Sequence, residues 1–201
     1  KKEIFYIDEI FFYSFLRKRY NYIKYNLKLF ISIFLKKKII PQKKHGLKKK
    51  LIISLTSYPA RFRTLPLVLN SILNQSIEAD KIILWIEKKD KKKISSSINN
   101  FKGITIKYCE NGLFSYKKII PTLRQFKDEY IITLDDDVIY SDKSIEKLVT
   151  QSKKYPKDII ANCTHKIKIK NSYPANYKLW SHNYKKETRY AYFTGTGGVL
   201  Y

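Results

Sequence analysis

The chain has 201 residues and a formal charge of +24, from 41 Lys and Arg against 17 Asp and Glu. That length has room for one ordinary domain plus an extension, and a 44% hydrophobic share is enough to bury a core. The charge admits polyanionic partners, but a sequence rich in Lys, Ile, Asn and Tyr, poor in Gly and Pro and without Met also has the texture of compositional drift, so charge alone assigns no function.

Ile4 to Leu35 mixes aromatic and aliphatic residues with Arg17, Lys18, Arg19, Lys24 and Lys28, and Lys36 to Lys38 follow. The longest apolar piece, Leu29 to Leu35, is far too short to span a bilayer. This predicts a basic, aromatic-rich helical extension and linker over residues 1–50, packed on the main domain or peripheral to it. Contact with an anionic membrane face is the lesser alternative. Pro41 to Lys50, with His45 and Gly46, reads as the linker, and the main domain is expected over 51–201. No signal peptide is visible, which predicts a cytoplasmic protein, with the inner membrane face as a variant of that expectation. The missing initiator Met and a last residue in mid-pattern predict that both ends are trimmed.

From Leu51 the pattern becomes alternating strands and helices. Leu51 to Leu55 reads as a strand buried on both faces. Thr64 is the predicted cap of a helix with Pro66 in its first turn and Leu65, Val68, Leu69, Ile72 and Leu73 on one face. Lys81 to Ile86 and Ile104 to Tyr108 are the next strands, and Pro121 to Phe126 belongs to a short helix. Tyr130 to Leu134 is a further strand that ends on Asp135, Asp136 and Asp137. Asp142 is the predicted cap of a helix buried through Ile145, Leu148 and Val149. Ile159 to Ala161 reads as another strand. The succession predicts an α/β fold with a mostly parallel sheet and helices on both sides. Cys109 and Cys163 lack metal-ligand spacing and read as buried small hydrophobes in a reducing compartment, not as a disulfide framework.

In such sheets ligands bind beyond the carboxyl ends of the strands. Two segments fall there. Thr56, Ser57, Tyr58, Pro59, Ala60 and Arg61 offer hydroxyls, an aromatic face and a guanidinium, suited to a base, ribose or diphosphate, although the same residues form ordinary loops. Asp135, Asp136 and Asp137 place three repelling carboxylates at the rim of the core, which is poorly stable unless a cation or hydrogen-bond donors neutralise them. Hard oxygen ligands suit Mg2+ or Mn2+, and the bland alternative is a solvated acidic turn. Gly195, Gly197 and Gly198 let backbone approach a ligand or simply make a turn before a strand. His165, His45 and His182 read as polar rim residues, and Trp180 with Tyr177 and Tyr184 as core aromatics with sugar stacking as the alternative.

Taken together, Ser54 to Pro59 with Arg61, then Asn74, Gln75 and Lys81 to Trp85, resemble the start of a bacterial glycosyltransferase of the family-2-like group with the GT-A (Rossmann-like) fold. The likeness continues through Glu110, Asn111, Gly112, Ser115 to Lys118 and Pro121, includes the D-x-D element at Asp135 to Asp137, and reaches Gly195 to Tyr201. Such enzymes serve surface-polysaccharide assembly, in capsule or lipopolysaccharide. The resemblance implies a metal-dependent, inverting enzyme that moves a sugar from a nucleotide-sugar donor, UDP-linked, to a glycan or lipid-linked glycan acceptor, with no nucleic acid involved. It implies that Thr56, Ser57, Tyr58 and Arg61 hold base and ribose. Lys117 or Lys118 approaches the diphosphate, Asp135 and Asp136 meet the donor, and Asp135 with Asp137 ligate Mn2+ or Mg2+. Gly195, Gly197 and Gly198 face acceptor or sugar. The catalytic base of relatives is an acidic residue after the glycine-rich segment, so it is expected beyond Tyr201 and no residue here is assigned to it. The competing readings are a basic nucleic-acid-binding protein, a metal-dependent nuclease or nucleotidyltransferase, and a truncated, non-catalytic donor-binding remnant. The single acidic cluster argues against the nuclease, whose carboxylates come from several segments.

Overall fold

A computed structural model describes residues 42–184 and 188–201. The expected helix over Ile4 to Leu35 therefore lies outside the described residues. In chain order the strands are β1 (Lys43–Lys44), β2 (Leu51–Thr56), β3 (Ile77–Glu78), β4 (Lys81–Glu87), β5 (Thr105–Cys109) and β6 (Tyr130–Leu134). They continue with β7 (Ile160–Ala161), β8 (Thr164–Lys166), β9 (Ile169–Lys170), β10 (Tyr173–Pro174), β11 (Ala191–Phe193) and β12 (Val199–Leu200). The α-helices are α1 (Leu65–Leu73), α2 (Ser96–Asn99), α3 (Ile120–Gln125) and α4 (Ser144–Lys154), supplemented by short 3-10 turns.

Six strands form the central sheet in the order β5-β4-β2-β6-β12-β7. β5, β4, β2 and β6 run parallel, while β12 is antiparallel to both its neighbours, β6 and β7. β2 lies between β4 and β6, so both its faces and both its edges are covered. All of Leu51 to Leu55 are at most 1% exposed, the expected state of a strand enclosed within a parallel sheet. On one face α1 and α4 contribute Leu65, Val68, Leu69, Ile72, Ile145, Leu148 and Val149 to the larger core. On the other, Ile52, Ile83, Trp85, Cys109 and Ile131 pack with the half-buried Ile119 and Phe126 beside α3. Burial pushes the Cys109 thiol above its ordinary range, whereas Cys163 is only half-buried.

Both helix caps differ from the sequence expectation. Thr64 does precede α1, but its hydroxyl donates back to the Arg61 carbonyl at 3.2 Å and caps nothing. The residue before α4 is Lys143, not Asp142. The orphan N–H of Ile145 is instead satisfied by Gln75, whose Oε1 accepts it at 3.1 Å while its Nε2 donates to the carbonyls of Ser71 and Ser141. Gln75 is fully buried, so the far end of α1 serves as the cap that a local side chain would otherwise provide. Residues 42–50, read as a linker, are tied down: β1 pairs with β3, and His45 Nε2 meets Asp80 Oδ2 at 2.9 Å. Among the described residues, no helix is long and apolar enough to cross a membrane.

Candidate functional site

The chain moves outward from β2 through β4 to β5, then returns to β6 on the other side of β2. That reversal leaves a crevice beyond the carboxyl ends of β2 and β6. Ser57 follows β2 and Asp136 follows β6, and across the crevice the Ser57 hydroxyl donates to Asp136 Oδ2 at 2.5 Å. A cavity of about 510 Å³ opens beside this clasp, within the range that holds small ligands. Its walls come from Thr56 to Pro59, from Glu87 at the end of β4 with Lys89, Asp90 and Lys93 beyond it, from Phe114, Ser115, Lys117 and Lys118, and from Leu134 to Asp136.

A buried polar hub beneath the cavity sets its shape. Ser54, alone polar in the middle of β2, donates to the Lys118 carbonyl at 2.6 Å and meets Thr122 Oγ1 at 2.8 Å. Trp85 Nε1 donates to the same Thr122 hydroxyl at 2.7 Å. Every polar atom of this hub that the core encloses has a partner, so the network pins the Phe114–Lys118 turn against two strands. Consecutive residues of that turn then diverge. Lys117 is buried and its Nζ lies 3.4 Å from Glu87 Oε1, whereas Lys118 pairs with Asp135 Oδ1. Phe114 is held at φ 45° with its ring 78% exposed at the mouth. A left-handed Phe costs on the order of 1 kcal/mol, and the surrounding turn must hold it there.

The acidic triplet does not converge. Asp135 faces Lys118, Asp136 faces Ser57, and Asp137 Oδ2 lies 3.0 Å from Arg61 Nη2. Burial pushes the Asp136 carboxyl above its ordinary range against the pull of the Ser57 hydrogen bond. Arg61 is held above its ordinary range, first by its hydrogen bond with Tyr58 and then by the charge of Asp137. Tyr140, 4% exposed, accepts the Asp135 backbone N–H on its phenol oxygen at 2.7 Å and fixes the start of the triplet. Among the described residues no group of three His, Cys, Asp or Glu gathers to hold an ion. The site presents two outward carboxylates, each neutralised by one long cation.

The glycine-rich segment divides likewise. A Cβ on Gly195 would lie 2.9 Å from Lys118 Nζ and 3.0 Å from Asp135 Oδ1, so its bare backbone covers that ion pair. Gly197, at φ +89°, packs against Asn162, whose Nδ2 donates to its carbonyl at 2.7 Å. Gly198 does not face a ligand: at φ +97° it is buried under Leu134 and Leu148, because β12 must turn into the sheet there. Thr56 lines the cavity with its hydroxyl already donated to the Trp85 carbonyl at 2.8 Å. His165 is buried in an aromatic cluster with Tyr177, His182 and Tyr192.

Sequence reasoning missed Glu87, Lys89, Asp90 and Lys93. The strand was read as ending at Ile86, and one residue further a charged side chain closing a buried strand was the available signal. Glu87, 5% exposed, is held below its ordinary pKa first by the hydrogen bond from Lys89, with Lys117 adding to it. Because the folded pKa lies below the unfolded one, the stabilisation is present at neutral pH and lost as pH falls through the folded value. Urea midpoints measured from neutral to acid pH should therefore fall, and Glu87→Gln should lose that part of the decline. Identical acid slopes would overturn the assignment.

The family model described as "Glycosyl transferase family 2" matches residues 55–199. No curated protein matches the chain. Among solved structures, the chain is similar to the crystal structure of Francisella tularensis 2-C-methyl-D-erythritol 4-phosphate cytidylyltransferase. The identity is 15% and the TM-score 0.41, over 71% of this chain and 70% of that one. At that distance the likeness bears on neither substrate nor reaction.

Proposed function

The chain belongs to glycosyl transferase family 2, and on that premise we propose that it moves a sugar from a nucleotide-sugar donor, UDP-linked, to a glycan or lipid-linked glycan acceptor in bacterial surface-polysaccharide assembly. One observation supports this most: a ligand-sized cavity at the strand-order reversal, lined by Asp135 with its partner Lys118, and continued along the chain by the Asp137–Arg61 pair.

The donor set is oxygen-only and open, which fits Mn2+ or Mg2+ seated on Asp137 and Asp135 with the other ligands drawn from water and diphosphate. When bound, such an ion offsets the charge that builds on the leaving diphosphate. The chain's own residues do the rest. The exposed rings of Tyr58 and Phe114 offer faces to a base. Released from Asp137 and Asp135, Arg61 and Lys118 are free to meet phosphate oxygens, so the carboxylates exchange one cation for another without ever standing bare. Ser57 and Tyr140 hold the triplet in place while this happens, and the bare Gly195 backbone leaves room for Lys118 and Asp135 beside it.

A uridine diphosphate sugar with Mn2+ is expected to raise the melting temperature of the full chain, and chelator to abolish the rise. At a ligand concentration a hundredfold above Kd the stabilisation is about 2.7 kcal/mol, easily read in a thermal scan. If no nucleotide sugar and no nucleoside diphosphate shifts the melt with metal present, the donor-site reading fails.

A further inference from the structure

Outside the cavity, the strongest unexplained feature is the lobe carried by β8 to β11. From Ile159 to Tyr201 the sequence has seven Lys and Arg against a single acid, Glu187. Lys166, Lys168, Lys170, Lys178 and Arg189 are all exposed. The same lobe leaves apolar side chains in water: Tyr173 at 75%, Leu179 and Tyr190 at 55%, and Ile169 at 39%. In the β9–β10 pairing Tyr173 lies opposite Lys170 and Ile169 opposite Pro174, so the hairpin carries exposed apolar groups on both of its faces.

These side chains stand on an ordered scaffold. β9 and β10 form a hairpin whose two turn residues, Asn171 and Ser172, have φ of 49° and 65°, the left-handed pair that a tight two-residue hairpin needs. Its base closes where the Ala175 N–H donates to the Lys168 carbonyl at 2.7 Å. β8 pairs with β11, and the Ile167 N–H donates to the Tyr190 carbonyl at 2.8 Å. Tyr177 and Tyr192 both pack edge-on against Trp180, at 5.2 and 5.6 Å between ring centroids. An ordered hairpin that leaves aliphatic and aromatic groups exposed on both faces, in a lobe rich in lysine, suits a partner that is both anionic and apolar and can surround the hairpin.

We propose that this lobe docks on the anionic headgroup layer of a lipid bilayer. Like charge argues against another basic surface as the occupant. A second copy of the same basic lobe is repelled for the same reason. A nucleic acid would neutralise the lysines and stack on the tyrosines, but it has no use for exposed Ile169 and Leu179. A bilayer uses all three kinds of group: lysines meet the headgroups, tyrosines lie at the interface, and the aliphatic side chains enter the acyl boundary. The docking does not depend on the donor reading. It is joined to that site through the chain, because β11 ends at Phe193 and Thr194 leads straight to Gly195 over Asp135.

The test is sedimentation of the full chain with phosphatidylcholine vesicles, with and without phosphatidylglycerol. Binding is expected only with the anionic lipid and should weaken with salt. Tyr173→Ser with Leu179→Ser should weaken it about tenfold or more. Lys168→Ser with Lys170→Ser, which alters only exposed side chains, should weaken it by about fivefold per lysine. Circular dichroism and the melting shift with Mn2+ and donor should be unchanged in both variants, so a failed fold or a failed donor site is told apart from failed docking. The proposal is overturned by absence of binding to the anionic vesicles, by equal binding of parent and both variants, or by displacement of the vesicles by single-stranded nucleic acid bound more tightly.

Discussion

Asp137→Asn is expected to weaken nucleoside diphosphate binding in Mn2+ about a hundredfold by calorimetry, while changing stability by less than about 1 kcal/mol. The two halves of that expectation have separate causes. Asp137 and Arg61 are both roughly 40% exposed, so their ion pair is well screened and its loss leaves neither group stranded in the core. An amide keeps the size of the side chain but removes the charge that a hard divalent ion requires. Asp135→Asn should show the same binding loss with a larger stability cost, because it leaves Lys118, only 16% exposed, without its counter-charge. Asp136→Asn is the internal control. Its carboxylate is turned to Ser57 and disfavours ionisation through burial, so an amide there should alter the metal-dependent part of binding far less. Unchanged metal-dependent binding in Asp137→Asn would sink the assignment of that residue.

Gly198→Ala is expected to lower the thermal midpoint by about 5–10 °C, from a destabilisation of ~2–3 kcal/mol. The backbone at φ +97° lies outside the conformations an L side chain adopts comfortably. The added methyl would also lie 2.8 Å from Leu134 Cδ2 and 3.3 Å from Leu148 Cδ1, both in the packed core. Either the leucines leave their rotamers or β12 shifts from its place between β6 and β7. Gly112→Ala separates the two effects. Gly112 has φ +88° but nothing within 4 Å of the added atom, so it should cost only the backbone part, on the order of 1 kcal/mol. Equal losses at the two positions would show that backbone strain alone decides, and that the packing under Gly198 contributes nothing.

Much of the fold was legible because parallel strands buried on both faces must be continuous apolar runs. Leu51 to Leu55 and Tyr130 to Leu134 come close to that, each broken by one small hydroxyl residue, and the structure has strands there. The helix over Leu65–Leu73 followed from spacing alone. Thr64 and Asp142 have capping chemistry, but the Thr64 hydroxyl donates back to the Arg61 carbonyl, and at α4, which starts one residue after Lys143, a fully buried Gln75 from another segment accepts the Ile145 N–H. Val199–Leu200, too short to carry a periodicity, gave no sign that it enters the sheet antiparallel.

The same division runs through the candidate site. The sequence by itself determined that three carboxylates follow a buried strand, that a hydroxyl- and arginine-bearing loop follows another, and that both belong at the carboxyl end of one sheet. Those are properties of local runs, fixed by residue type and spacing. Only the tertiary structure decided that Ser57 clasps Asp136 from 79 positions away, that Lys117 turns to Glu87 while Lys118 turns to Asp135, and that Gly195 covers this pair while Gly198 belongs to the core. The physical reason is that neutralising a carboxylate takes a donor within about 3 Å, and which donor arrives is set by strand order, which local periodicity does not contain.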